Sequence, residues 1–452
     1  MTGFGGKFMG KSFASELKRK TVSAEQAAAV VKSGDWLDYG FGLGQPDLFD
    51  RALAARVSTL EGVKVRGCLA LRPRAAVEAD PEARHLHYFS WYFSSLERKM
   101  HDRGLCHHIP MNFGEAPDYY RRFIEVDVAI LKTAPLDSHG FFNFGGAVTY
   151  EKALTERARI VIVETDESMP YVYGVENGVH IDEVDYVIKG GRQTLPELAN
   201  PPAGEIEQKI AGLIAQEIEN GACLQVGIGA MPNAVCELLV DSPVKDLGVH
   251  TEMFVDSLMK LYQAGKITGA HKTLDRFQMA YCFAAGSSQM YEFLDRNAAC
   301  FAGPVNYTNL PHRIMQNERA VAICNAAQID LTGQACAESA GLRQISGTGG
   351  QLQFVRGAYA SCGGKAFLCM SSTYERDSRR ESRIVAHLAE SNIVTTPRTD
   401  VMYVVTEYGI SNLKGKSVPE RARALVNLAH PDFRDDLERT ARECGLLSRA
   451  LF

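Results

Sequence analysis

The chain has 452 residues, 46% of them hydrophobic and 23% charged, the balance of a soluble globular protein with enough apolar material for two or three domains. A net charge of −5 and the lack of any long Lys/Arg run argue against a nucleic-acid partner, which would need a concentrated basic footprint. No run approaches the ~18 apolar residues of a membrane span, and the first twenty residues hold no signal-peptide core, so a cytoplasmic protein with no membrane partner is expected.

The opening through Lys20 reads as a loose arm or short amphipathic helix. Ser23 and Gln26 have the spacing of a capping box and start an Ala-rich helix expected to end at Ser33-Gly34. Trp36-Leu37-Asp38-Tyr39 reads as a strand, and Gly40–Pro46 as a tight turn into a helix over Leu48–Arg56. Buried strands are expected at Val63–Val65, Val126–Leu131 and Ile160–Val163, alternating with helices at Pro117–Phe123 and Tyr150–Arg159. Asn200-Pro201-Pro202-Ala203-Gly204 reads as a linker, because Pro-Pro stops any helix before Glu205 begins one.

From Glu205 the alternation resumes. Ile206, Ile210, Leu213, Ile214 and Ile218 mark a helix face, and Val321–Cys324, Phe367–Met370 and Val401–Val405 read as strands. Tyr374–Arg383 is a charged stretch expected as an exposed loop, and Ser417 with Glu420 caps a helix running to Leu428. Gly34–Gly42 aligns with Gly221–Gly229, an internal repeat at a spacing of 187 residues, with a proline after each copy. The repeat points to two tandem, similarly built α/β domains with mainly parallel sheets, divided as 1–200 and 205–452. The 11 cysteines are scattered without a CxxC pair. Cys223, Cys324 and Cys369 lie in apolar runs and read as buried thiols of a reducing compartment.

Chemistry concentrates in the second half. Leu247–Asp256 is a short apolar lead-in that delivers Glu252 where a parallel strand would open into a loop, the place where open α/β sheets bind ligands. A carboxylate there can attack an activated carbonyl; the bland alternative is a solvated or capping Glu. Gly227-x-Gly229-x-x-Pro232 joins a strand to a helix, so a ligand can approach its backbone, although Pro232 spoils it as a dinucleotide fingerprint. Asn325 ends a strand with an amide that either donates to a thioester oxygen or makes an Asx-turn. Ser346–Gly350 can turn backbone N–H groups inward as an anion nest. Lys365, after Gly363-Gly364, meets a phosphate or is solvated. Three leads are closed. Gly409–Ser417 has one residue too many for a P-loop; Cys106-His107-His108 cannot converge on one ion, so no metal is expected; and His250 reads as a packed histidine.

Gly227–Asn233, Val249–Met253, Val305–Asn309, Asp330–Gln334, Ser346–Leu352, Thr406–Gly409 and Ala429–Arg434 occur in the order that resembles the acetyl-CoA hydrolase/transferase family of class I-type CoA-transferases. The resemblance spans Val22 to Arg434 and implies two α/β halves with the active site in the cleft between them. It implies reversible CoA transfer between a short-chain acyl-CoA, with butyryl-CoA favoured over 4-hydroxybutyryl-CoA, and a short-chain carboxylate, with acetate favoured. Coenzyme A would be a co-substrate, no cofactor would be held permanently, and a homo-oligomer is expected. By this resemblance Glu252 forms the glutamyl-CoA thioester, while Asn325 and the Gly350 N–H hold the oxyanion, with Gly349 the neighbouring choice. Gly229, Ala230, Met231, Pro232 and Asn233 become the CoA-binding segment, Gly44-Gln45-Pro46 its weaker counterpart, and Lys365 a contact to CoA phosphate. Gln353 stands where relatives often carry Asp, which bears on acyl preference. Phe141-Phe142-Asn143-Phe144 is a candidate acyl wall, and Glu252 is expected ionised near neutrality from its ordinary pKa of about 4.3. A hydrolase on the same scaffold, a ligand-sensing module without chemistry and a sugar-phosphate isomerase-type enzyme are the alternatives.

Overall fold

Two sheets that share the order of their central strands carry the chain. The structure, a computed structural model, describes residues 13–198, 201–227, 229–389 and 391–447. The first twelve residues of the opening arm, Asn200 of the linker and Ile228 of the glycine turn lie outside the described residues. The first sheet runs Thr21–Val22, Tyr186–Lys189, Ile160–Thr165, Val128–Thr133, Trp36–Phe41, Val63–Cys68, Leu86–Ser90 and Cys106–His108, every neighbouring pair parallel. The second runs Gly248–Val249, Cys223–Val226, Ala320–Asn325, Lys365–Cys369 and Tyr403–Thr406 in parallel, closed by Gly409–Asn412 antiparallel.

In each sheet the first long strand has the next strand on one side and the three later ones, in sequence order, on the other. The repeat in the sequence therefore marks equivalent central strands, Trp36–Phe41 and Cys223–Val226. Both are almost wholly buried, as strands of a parallel sheet covered on both faces are, and all six residues of Val128–Thr133 are buried.

Local differences have local causes. The Ser23 capping box forms, but its helix is only Ala24–Ala28, because Asp35 accepts the Lys32 N–H and turns the chain. Tyr374–Arg383 is not a loop. Thr373–Arg376 pairs antiparallel with Arg379–Ser382, around Asp377 and Ser378 at φ 48° and 61°, the left-handed pair that a tight hairpin turn requires. All 11 cysteines are unpaired, and only Cys362 and Cys444 are exposed. Among the described residues no helix is long and apolar enough to cross a membrane.

The halves meet at the loop Ser346–Gly350. The Phe113 N–H donates to the Gly349 carbonyl at 3.0 Å, and the Gly114 N–H to Gln353 Oε1 at 2.8 Å. A Cβ on Gly347 would collide with the Trp91 carbonyl, so glycine is what lets the two backbones touch. One apolar core crosses this junction, joining Phe41, Trp91 and Phe113 to Val226, Met253 and Phe283.

Candidate active site

Glu252 lies just past the carboxyl end of Gly248–Val249, between that strand and Met253–Phe254. Its backbone is fixed from both sides: the Thr251 N–H donates to the Ala280 carbonyl, and the Glu252 carbonyl accepts from the Cys282 and Phe283 N–H groups. The side chain is largely withdrawn from solvent. Oε2 accepts a hydrogen bond from Asn309 Nδ2, and the Gly350 N–H also bonds the carboxylate. Gly350 is the N-cap of the helix Gln351–Ala360, so the positive end of that helix faces the charge. A Cβ on Gly350 would strike both Glu252 Oε2 and the Asn309 amide nitrogen. Its φ of −93° is open to any residue, so the requirement for glycine is steric.

Burial pushes the Glu252 carboxyl up to about 7, against the opposing pull of the Asn309 amide and the Gly350 N–H. The expectation of an ordinary, fully ionised carboxylate is thus corrected: near neutral pH the group is divided between its two forms, because desolvation outweighs its hydrogen bonds. His250, two residues earlier, is packed: Nε2 donates to the Thr308 carbonyl at 2.9 Å, and burial holds its pKa down at about 3.

Glu252 stands where two cavities join. One, of about 110 Å³, is apolar and lined by Phe41, Leu69, Trp91, Met111, Phe113 and Phe283, with Glu252 and Gly349 at its edge. The other, of about 170 Å³, is polar and is bounded by Glu252, Asn325, Tyr92, Gln225 and the loop Ser346–Gly350. Beyond Asn325 a further recess of about 240 Å³ is lined by Ala230, Met231, Ser371 and Arg383.

The structure thus gathers Glu252, Asn325, Gly349 and Gly350 around one space, with Ala230 and Met231 along its continuation. Gly229 sits beside them at φ 121°, and a Cβ there would lie 3.9 Å from Asn325 Nδ2. Pro232 and Asn233 are buried within the helix Ala230–Asp241 and face none of these three spaces. Lys365 is not brought to the cluster. It begins its strand, at the end opposite Asn325, and its ammonium donates to the Glu217 carbonyl and pairs with the Glu217 and Glu219 carboxylates.

The aromatic wall also moves. Phe142 and Phe144 are core residues and Phe141 is exposed, Phe141–Asn143 pairs with Gly178–His180, and none of the four lines the apolar cavity. In the first half's glycine turn, Gly42–Gly44 is a buried 3-10 turn, and the Gln45 amide is spent on the Cys68 carbonyl. The repeat's first copy contributes Phe41 to the apolar cavity instead. Asn309 and Trp91 had no assigned role from sequence. The Val305–Asn309 motif carried the signal for the first, whereas nothing local marked the second. Cys106, His107 and His108 lie on a strand and point alternately, and among the described residues no cluster of three or more His, Cys, Asp or Glu side chains is placed to hold a metal.

Residues 9–196 match the acetyl-CoA hydrolase/transferase N-terminal domain, and residues 286–441 match the C-terminal domain of the same family. The chain belongs to the acetyl-CoA hydrolase/transferase family. It is similar to the butyryl-CoA:acetate CoA-transferase of Anaerostipes caccae, 46% identical over 97% of this chain and 99% of the other. It is 40% identical to the succinyl-CoA:cyclohexane-1-carboxylate CoA transferase of Geobacter metallireducens, over 96% and 97%. The crystal structure of RipA from Yersinia pestis superposes with a TM-score of 0.89 at 36% identity, over 97% of this chain and all of that one. As a member of this acetyl-CoA hydrolase/transferase family, the chain is an enzyme of the CoA-transferase type.

Proposed function

We propose that the enzyme moves CoA reversibly between a short-chain, apolar acyl-CoA, with butyryl-CoA favoured, and a small carboxylate, with acetate favoured, through a thioester on Glu252. The observation that carries this reading is the position of Glu252, between an apolar cavity fit for an acyl chain and a polar one edged by Asn325 and glycine N–H groups. An ionised Glu252 oxygen attacks the thioester carbon, and the charge gathers on the former carbonyl oxygen. Asn325 is the side chain offered to that oxygen; the Gly349-Gly350 backbone edges the same space, and one such donor is worth about 3 kcal/mol in known oxyanion holes.

Collapse breaks the carbon–sulfur bond and leaves a mixed anhydride and CoA thiolate. The thiolate then attacks Glu252 Cδ, forming the glutamyl-CoA thioester and expelling the first acid with the oxygen that had joined them. An incoming carboxylate reverses the sequence. The recess along Ala230 and Met231, with Arg383 at its side, is where the pantetheine arm would lead out. Coenzyme A enters as a co-substrate only.

Anhydrides hydrolyse readily, so the acyl side must stay dry, and the ring of Phe41, Trp91 and Phe113 supports that. The test is a donor panel. With acetate as acceptor, butyryl-CoA should exceed succinyl-CoA in kcat/KM by at least about a thousandfold, because the extra carboxylate would be buried unpaired. Without an acceptor acid, butyryl-CoA should not be consumed beyond one equivalent of enzyme. Equal use of both donors would contradict the apolar acyl site, and continued loss without acceptor would make the enzyme a hydrolase.

A further inference from the structure

Asn309 belongs to no role described so far except its contact with Glu252, yet its surroundings are built around that contact. It is fully buried and ends the short helix Val305–Asn309. The Thr308 hydroxyl donates to Asn309 Oδ1 at 2.9 Å. With Oδ1 accepting from that hydroxyl, Nδ2 is presented to Glu252 Oε2. The same helix is latched to the strand end by His250, whose Nε2 donates to the Thr308 carbonyl. Residues 250 and 252 therefore grip adjacent residues 308 and 309. The missing side chain at Gly350 completes the arrangement, since a Cβ there would overlap the Asn309 nitrogen as well as the carboxylate.

We infer that Asn309 is the positioning residue of the Glu252 nucleophile, holding one carboxylate oxygen so that the other makes the attack. This rests on the covalent role proposed for Glu252. An amide that donates to the ionised form favours it, so Asn309 also draws Glu252 toward the charged state that attacks.

The groups around Glu252 leave that effect legible. Tyr92 from the first half and Cys324 from the strand Ala320–Asn325 are pushed up to about 12 by burial and by Glu252 itself. Burial also pushes Cys68 and Cys282 well above the ordinary thiol range, and His250 stays neutral above about 3. Glu151 is pushed up to about 7 by burial and acts on Cys282 through its charge, and burial also raises Glu97, Asp38 and Asp50. Among the described residues none of these acids is hydrogen-bonded to Asn309, which bonds Glu252, so a change at Asn309 separates Glu252 from them.

The experiment compares wild type with Asn309→Ala and Asn309→Asp, the second keeping the side chain's size. For each, kcat and KM for butyryl-CoA are measured from pH 5 to 9, and the Glu252 peptide is inspected after borohydride treatment of protein mixed with butyryl-CoA alone. In Asn309→Ala, kcat should fall at least tenfold with KM little changed. The acid limb should move up by about one pH unit, the worth of a lost hydrogen bond to a charged group. In Asn309→Asp the limb should move further up, because a second acid then shares the site.

An acid limb that stays at its wild-type position in both variants, or a loss confined to KM, would overturn the role of Asn309. A wild-type Glu252 that borohydride leaves unreduced would instead overturn the covalent reading beneath it. A third variant, Thr308→Val, frees the amide to turn. It should reproduce part of the limb shift while Asn309 itself is intact, and an unshifted limb there counts against the fixed-amide argument.

Discussion

At Glu252 burial and hydrogen bonding pull in opposite directions, and burial prevails. The carboxyl is raised from its ordinary 4.5 to about 7, so between those values the folded protein keeps a proton that the unfolded chain has lost. Stability tied to this group is full below about pH 4.5 and declines as pH rises through about 7. The ionised form of Glu252 is therefore a cost to the fold, of the order of 1–3 kcal/mol at pH 8. Glu252→Gln should melt higher than wild type at pH 8 but not at pH 4.5, while kcat falls at least about a thousandfold. Thermal denaturation at the two pH values checks the first part, and initial rates check the second. The sequence marked Glu252 through its place after a strand, but its pKa was not legible. The shift comes from apolar walls contributed by residues some two hundred positions away, such as Phe41.

Among the elements, the helix Gln351–Ala360 and the loop before it do the most for the site. They bring a helix N-terminus to the carboxylate, with glycine at the point of closest approach. Gly350→Ala should leave the protein folded, since φ at that position suits alanine. It should still lower kcat by about a hundredfold, the scale expected when a reacting group is displaced by about an ångström. Circular dichroism and kinetics together check it, and an active, folded variant would show that the clearance is not needed.

Elements with strong local signals were readable: the capped helix starts at Ser23 and Ser417 and the central strands. Short strands such as Leu86–Ser90 and the edge strand Cys106–His108 were not, because only the neighbouring strand defines them. Phe141–Phe144 misled for the same reason. An aromatic loop tells nothing of which face it joins until the partner strand Gly178–His180 is placed. Lys365 misled because a glycine turn occurs at either end of a parallel strand, and here it marks the amino end.

Over the whole molecule, two sheets that share the order of their central strands have been put to different uses. The second supplies Glu252 and Asn325 at its strand ends. The first closes its own strand ends with a buried cluster in which Asp47 pairs with Lys132, Arg72 and Arg74, and it lends Phe41, Trp91 and Phe113 to the cavity. The site exists only where the halves meet, which is why the duplication was visible in the sequence and the acyl pocket was not. In the proposed mechanism joint enclosure would keep water from an acylated Glu252, and the adduct should then outlast mixing with donor alone.

The direct measurement is mass spectrometry of the enzyme after incubation with butyryl-CoA and no acceptor, intact and after borohydride. Intact protein should gain the mass of one coenzyme A less one water, lost again on adding acetate, and the borohydride-treated digest should carry its reduced residue at Glu252. Catalytically active protein that gains no mass and retains an unreduced Glu252 would contradict it.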